Sequence, residues 1–171
     1  PTQTQLDEFR AFIGMSRTLP PNFTEDMIMK APSNDIMNKM QRGVLASYSY
    51  DEAPEDRSVA NILRQCIELI SRFSTLAAYG YQAKRRYYDQ KSMYIHNPLP
   101  NLSTAENFLH LIRADMQYTK LEADTLDLAL ILHAEHGGGN NSSLTVHVVS
   151  SADTDTYSAI AAAVGSLKGR R

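Results

Sequence analysis

The chain has 171 residues, 43% hydrophobic and 21% charged, and 17 Lys and Arg against 19 Asp and Glu leave a net charge of −2. That length and balance describe one globular domain with room for a core, and they exclude the broad basic field that nucleic acid or an anionic membrane surface selects. A single cysteine excludes an internal disulfide framework. No apolar run approaches the roughly 18 residues of a membrane span, and Pro1 to Leu6 lack a signal-peptide layout, so a cytoplasmic setting is expected.

Helical periodicity dominates and no hairpin signal interrupts it, which predicts an all-α domain. A first helix over Leu6 to Ser16 places Leu6, Phe9, Phe12 and Ile13 on one face, and Pro20-Pro21 stops it. Thr24 stands as N-cap of a short helix ending at Pro32. Ser33 then caps a helix through about Ala46, with Ile36, Met37, Met40 and Val44 inward. Tyr48 to Arg57, rich in acids around Pro54, reads as an exposed loop. The longest helical segment runs from Ser58 to about Tyr88, with an interruption expected near Gly80. Cys66 lies in its apolar run as a buried, inert thiol, and Lys84-Arg85-Arg86 end it as solvated cations at a helix C-terminus.

Asn97-Pro98-Leu99-Pro100 form a loop. Ser103-Thr104-Ala105-Glu106 have capping-box spacing and open a helix through Leu111; Thr119-Lys120-Leu121-Glu122 open the next, which carries Leu126, Leu130 and Ile131 and stops at Gly137-Gly138-Gly139. Ser142 to Ser150 make a short helix, and Thr154 or Asp155 caps a last one. Its run Ala159 to Gly165 is built of small residues that admit a neighbouring helix closely, so it is expected at the centre of the packing.

The chemistry concentrates in His133-Ala134-Glu135-His136-Gly137-Gly138-Gly139-Asn140-Asn141-Ser142. Histidines at i and i+3 would share a helical face, glycines allow positive φ and close approach to the backbone, and the amides opening the next helix favour an anion. On local physics alone the segment is either a site for a small carboxylate or a structural loop with one buried histidine. Zinc is not expected: the spacing fits neither HExxH nor HxxEH, and His133, Glu135 and His136 diverge around a helix. His136-Gly137-Gly138-Gly139 is similar to an esterase oxyanion loop, but no G-x-S-x-G elbow accompanies it.

The run Leu130 to His136, with the following glycines, Asn140 and Ser142, resembles the citrate synthase family, as does Asp155 to Gly169. Upstream, Arg17 to Pro20, Met29 to Pro32, Tyr48 to Asp51 and Leu102 to Asn107 resemble family segments in the same order. The resemblance implies a multi-helical, bundle-like part of the large domain, with residues 1–171 a partial domain lacking an N-terminal segment, the small domain and a C-terminal segment. It implies condensation of acetyl-CoA with oxaloacetate to citrate and CoA, with acetyl-CoA as substrate and no cofactor or metal, in a homodimer without nucleic-acid or membrane partners. His136 resembles the histidine that binds oxaloacetate, Asn140 an asparagine of the same loop, and Ser142 the serine that orients a catalytic histidine lying beyond Arg171. His133 matches a family position with a weaker claim, while His96, His110 and His147 fall outside the motif. By itself the stretch is expected to be inactive. A 2-methylcitrate synthase, or a non-catalytic helical assembly module of the same ancestry, are the alternatives.

Overall fold

The structure, a computed structural model, describes residues 1–134 and 136–169. These form helices and connecting turns, with no strand among the described residues.

Local chemistry sets most helix starts. Helix α1, Gln3–Met15, begins earlier than its apolar pattern, because Thr2 and Gln5 form a capping box. The segment expected to be a helix capped by Thr24 is a single π-helical stretch, Thr24–Met29, preceded by Phe23 with no side-chain cap. Its exit is held by Lys39, whose ammonium donates to the carbonyls of Met27 and Ala31. Helix α2, Ile36–Ser47, is capped by Asp35 and not by Ser33: the Asp35 carboxylate accepts from the Asn38 amide at 2.9 Å. Ser33 instead braces the cap, accepting from the Asp35 amide at 3.2 Å.

Helix α3, Val59–Tyr87, runs for 29 residues without the break expected at Gly80. Gly80 is there for space, since a Cβ would lie 3.1 Å from Cγ of the buried Lys39. Helices α4, Thr104–Ile112, and α5, Lys120–Leu132, open on the capping boxes of Ser103 and Thr119. Helix α6, Asn141–Ser150, and helix α7, Thr156–Ser166, are capped by Asn140 and Asp155.

Helix α3 is the spine on which α1, α2 and α4 lie, and α7 packs between α2 and α6. One apolar cluster joins Leu19, Phe23, Ile28, Met40, Leu76 and Leu111; a second joins Val44, Leu69, Tyr157 and Ala161. The small-residue run is central as expected, with Ala159, Ala161, Ala163 and Val164 buried. Gly165 lets α7 approach α2, for a Cβ there would meet the Gln41 amide nitrogen at 2.4 Å.

Further expectations are corrected. Tyr48 to Arg57 is not a wholly exposed loop: Tyr48–Tyr50 form a 3-10 turn and the Asp51 side chain is only 3% exposed. The apolar face assigned to α1 is half open, with Phe9 and Phe12 exposed. On α5 the buried residue is Ala123; of the apolar residues read there, Leu126 and Leu130 border an apolar hollow with Met40, Phe73 and Phe108, while Ile131 is exposed. Cys66 is half-buried, and burial pushes its thiol pKa up, away from the reactive thiolate.

Candidate functional site at the junction of the fifth and sixth helices

Helix α5 ends at Leu132, and His133 serves as its C-cap, its amide donating to the carbonyls of Ala129 and Ile131. The His133 ring turns back on the same helix, with Nδ1 2.8 Å from the Ala129 carbonyl. That carbonyl can only accept, so Nδ1 carries the proton and the ring is committed to the cap. His136 stands three positions on, outside the helix and exposed. The two histidines therefore do not share a helical face: the helix that would have aligned them stops before the first. Glu135, which took part in the zinc reading, lies outside the described residues.

Gly137 adopts φ of +87°, a conformation that side-chain-bearing residues rarely take, and this bend turns the chain from α5 toward α6. Among the described residues, nothing lies within 4 Å of where a Cβ would stand at Gly137, Gly138 or Gly139. The turn closes through the Asn140 amide, which donates to the Gly137 carbonyl at 3.1 Å.

Asn140 then organises the start of α6. Its side-chain oxygen accepts from both the amide and the hydroxyl of Ser142, each at 2.9 Å. The remaining amide group of Asn140 supplies two further donors, and the first turn of α6 adds backbone donors and the positive end of its dipole. Asn140 and Ser142 are thus brought together, while His136 stands at the entry of the same turn. The arrangement offers an imidazole, an amide and helix N-terminal amides to a small anion.

The other histidines, which fall outside the motif, are structural or exposed. His96 Nε2 bonds the Arg113 carbonyl at 3.0 Å and His110 Nε2 the Asn97 carbonyl at 3.1 Å, which seats the 89–103 segment; His147 is exposed.

A second polar region was not foreseen. A cleft of about 390 Å³ is lined by Asp51, Arg64, Glu68, Arg72 and Tyr157. Its charges satisfy one another: Arg64 pairs with Asp51 at 2.8 Å and Glu68 at 3.0 Å, and Arg72 pairs with Glu68 at 3.1 Å. The cleft is thus held by its own ion pairs. The signal for this network was Tyr48 to Asp51, noted as a family-like segment, but its partners are remote in sequence.

Among the described residues no group of three or more His, Cys, Asp or Glu is arranged to hold a metal ion, and no helix is long and apolar enough to cross a membrane.

A family model for the citrate synthase C-terminal domain matches residues 1–171. A citrate/2-methylcitrate synthase of Bacillus subtilis is 27% identical over 99% of this chain and 43% of its own length. A citrate synthase of Haloferax volcanii is 31% identical over 99% of this chain and 44% of its own. The crystal structure of citrate synthase from Pyrobaculum aerophilum superposes with a TM-score of 0.85 at 28% identity, covering 99% of this chain and 42% of that one. The chain thus spans less than half the length of the relatives it matches.

Proposed function

The chain belongs to the citrate synthase family, and on that premise we propose that the whole protein condenses acetyl-CoA with oxaloacetate to give citrate and CoA. Residues 1–171 then form part of its large helical domain. The observation that carries the reading is the α5–α6 junction: an exposed His136, a positive-φ Gly137, and Asn140 holding Ser142 at a helix N-terminus.

In this reading His136 donates to the ketone or a carboxylate of oxaloacetate. Asn140 and the first amides of α6 meet the same anion, and their fixed dipoles need no reorganisation as charge builds on the ketone oxygen. The acetyl methyl loses a proton to a carboxylate base, the new carbon–carbon bond forms at the polarised ketone, and hydrolysis of the thioester releases CoA. By resemblance the base, the enol-binding histidine and the arginines that clamp the substrate belong to other parts of the whole protein. Ser142 would orient that histidine, and His133, committed to its cap, supports the turn. Acetyl-CoA is a substrate, no separate cofactor is required, and the assembly is a homodimer in the cytoplasm.

The acyl group is the second question, because one relative carries both activities in its name, citrate/2-methylcitrate synthase. Oxaloacetate-dependent CoA release by the complete gene product should be faster with acetyl-CoA than with propionyl-CoA, and the 171-residue stretch alone should give none. A preference for propionyl-CoA would make the protein a 2-methylcitrate synthase. No release with either thioester would leave a non-catalytic assembly module.

A further inference from the structure

Two of the family-like segments, Tyr48 to Asp51 and Asp155 to Gly169, take no part in the α5–α6 junction, yet the fold joins them. Tyr157 Oη donates to Asp51 Oδ2 at 2.6 Å across 106 residues of sequence. Gln65 Nε2 donates to the same oxygen at 3.0 Å, and Gln65 Oε1 accepts from Thr156 Oγ1 at 2.6 Å. Arg64 donates to both Asp51 oxygens at 2.8 and 2.9 Å, and the Ala53 amide adds another bond at 2.9 Å. Gln65 and Tyr157 are 0% and 1% exposed. A second strut pairs Arg57 with Asp153 at 3.3 Å, tying the turn before α7 to the same segment.

The bonds of Tyr157, Thr156 and Asp153 act on the first turn of α7 and its approach, and the remainder fix Asp51 and Gln65, which receive the first two. Helix α6 has no buried residue of its own and lies against α7, so the place of its N-terminus follows from the lie of α7. At the other end of α7, Gly165 packs on Gln41 and Lys168 pairs with Asp35 at 3.4 Å. An 11-residue helix is about 16 Å long, so a tilt of a few degrees about one end shifts the other by about 1 Å.

We propose that Asp51, through Tyr157 and Gln65, is a positioning residue for the substrate end of the α6–α7 hairpin: it sets the lie of α7 and thereby the placement of Asn140 and Ser142. The inference rests on the junction being the oxaloacetate side of the site. A displacement of about 1 Å in a positioning element can cost up to a hundredfold, so a partial release should be felt first by the ligand bound there.

The test is Tyr157→Phe in the complete gene product, which removes the 2.6 Å bond, keeps the ring, and leaves Asp51 bonded to Arg64, Gln65 and Ala53. The KM for oxaloacetate should rise about tenfold while the KM for the acyl-CoA stays within about twofold. Amide exchange should quicken across 141–150 and 156–166 and stay unchanged across 104–112. Thr156→Val should give a smaller change of the same pattern. Equal changes in the two KM values, or exchange that quickens uniformly along the chain, would reduce Asp51 to a general stabilising role and overturn the inference. If Tyr157→Phe does not fold, Thr156→Val is judged by the same two criteria. A wild-type protein without oxaloacetate-dependent CoA release would refute the functional reading, while the exchange pattern would still decide whether α6 follows α7.

Discussion

Asp51 keeps its charge where burial alone would favour the neutral acid. Burial pushes its pKa up, but bonds from Tyr157, the Ala53 amide, Gln65 and Arg64 outweigh that and hold it at about 2, below the ordinary 3.8. A folded-state value below the unfolded one gives stability that is present above about pH 4 and lost as pH falls through 2. Asp51→Asn should therefore flatten the acid limb: wild type loses on the order of 2 kcal/mol more than the variant between pH 4 and 2, read from denaturant unfolding at each pH. Equal slopes for the two proteins would mean the network does not hold the charge. At this scale the sequence is a poor guide, because Asp51 sits among acids that read as solvated and its partner is 106 residues away. The histidines show the same limit. His133 and His136 look like one face of a helix, but the His133 ring bonds Ala129 and the helix closes before either could share a face.

Local signals announced some helix starts and not others: the caps Thr2 and Asp35 were passed over. Ser103 with Glu106 and Thr119 with Glu122 form the capping boxes their spacing announces, since both partners lie within one turn. Glycines were not legible, because their meaning lies in what packs against them. Gly80 sits in an unbroken helix to clear Lys39, and Gly14 in α1 lies against the Pro100 backbone. In an exposed helix Gly→Ala gains up to about 1 kcal/mol. Gly14→Ala should do the reverse, because its Cβ would fall 2.1 Å from the Pro100 carbonyl oxygen, which a side-chain rotation cannot clear. A loss of about 2 kcal/mol is expected in equilibrium unfolding, and a gain in stability would show that α1 and the 89–103 segment are not packed as described.

Over the whole molecule, the all-α architecture and the central place of Ala159 to Gly165 followed from periodicity and residue size, and the structure bears both out. What the pattern could not give is which apolar faces the chain covers itself. Leu121, Leu128 and Ile131 on α5 and Leu144 and Val148 on α6 remain exposed. Apolar surface of this kind is rarely left bare, and the remainder of the whole protein or a second copy would cover it. The complete gene product should sediment as a dimer at about ten micromolar, and a species that stays monomeric there would count against the proposed homodimer. The site at the α5–α6 junction is the central claim, and steady-state kinetics of His136→Ala beside His133→Asn test it most directly. Loss of one directed donor should lower turnover about a hundredfold, roughly 3 kcal/mol, and weaken oxaloacetate binding in His136→Ala, whereas His133→Asn should mainly lose stability. The contrary result is a His136→Ala enzyme that stays active while His133→Asn loses catalysis at unchanged stability.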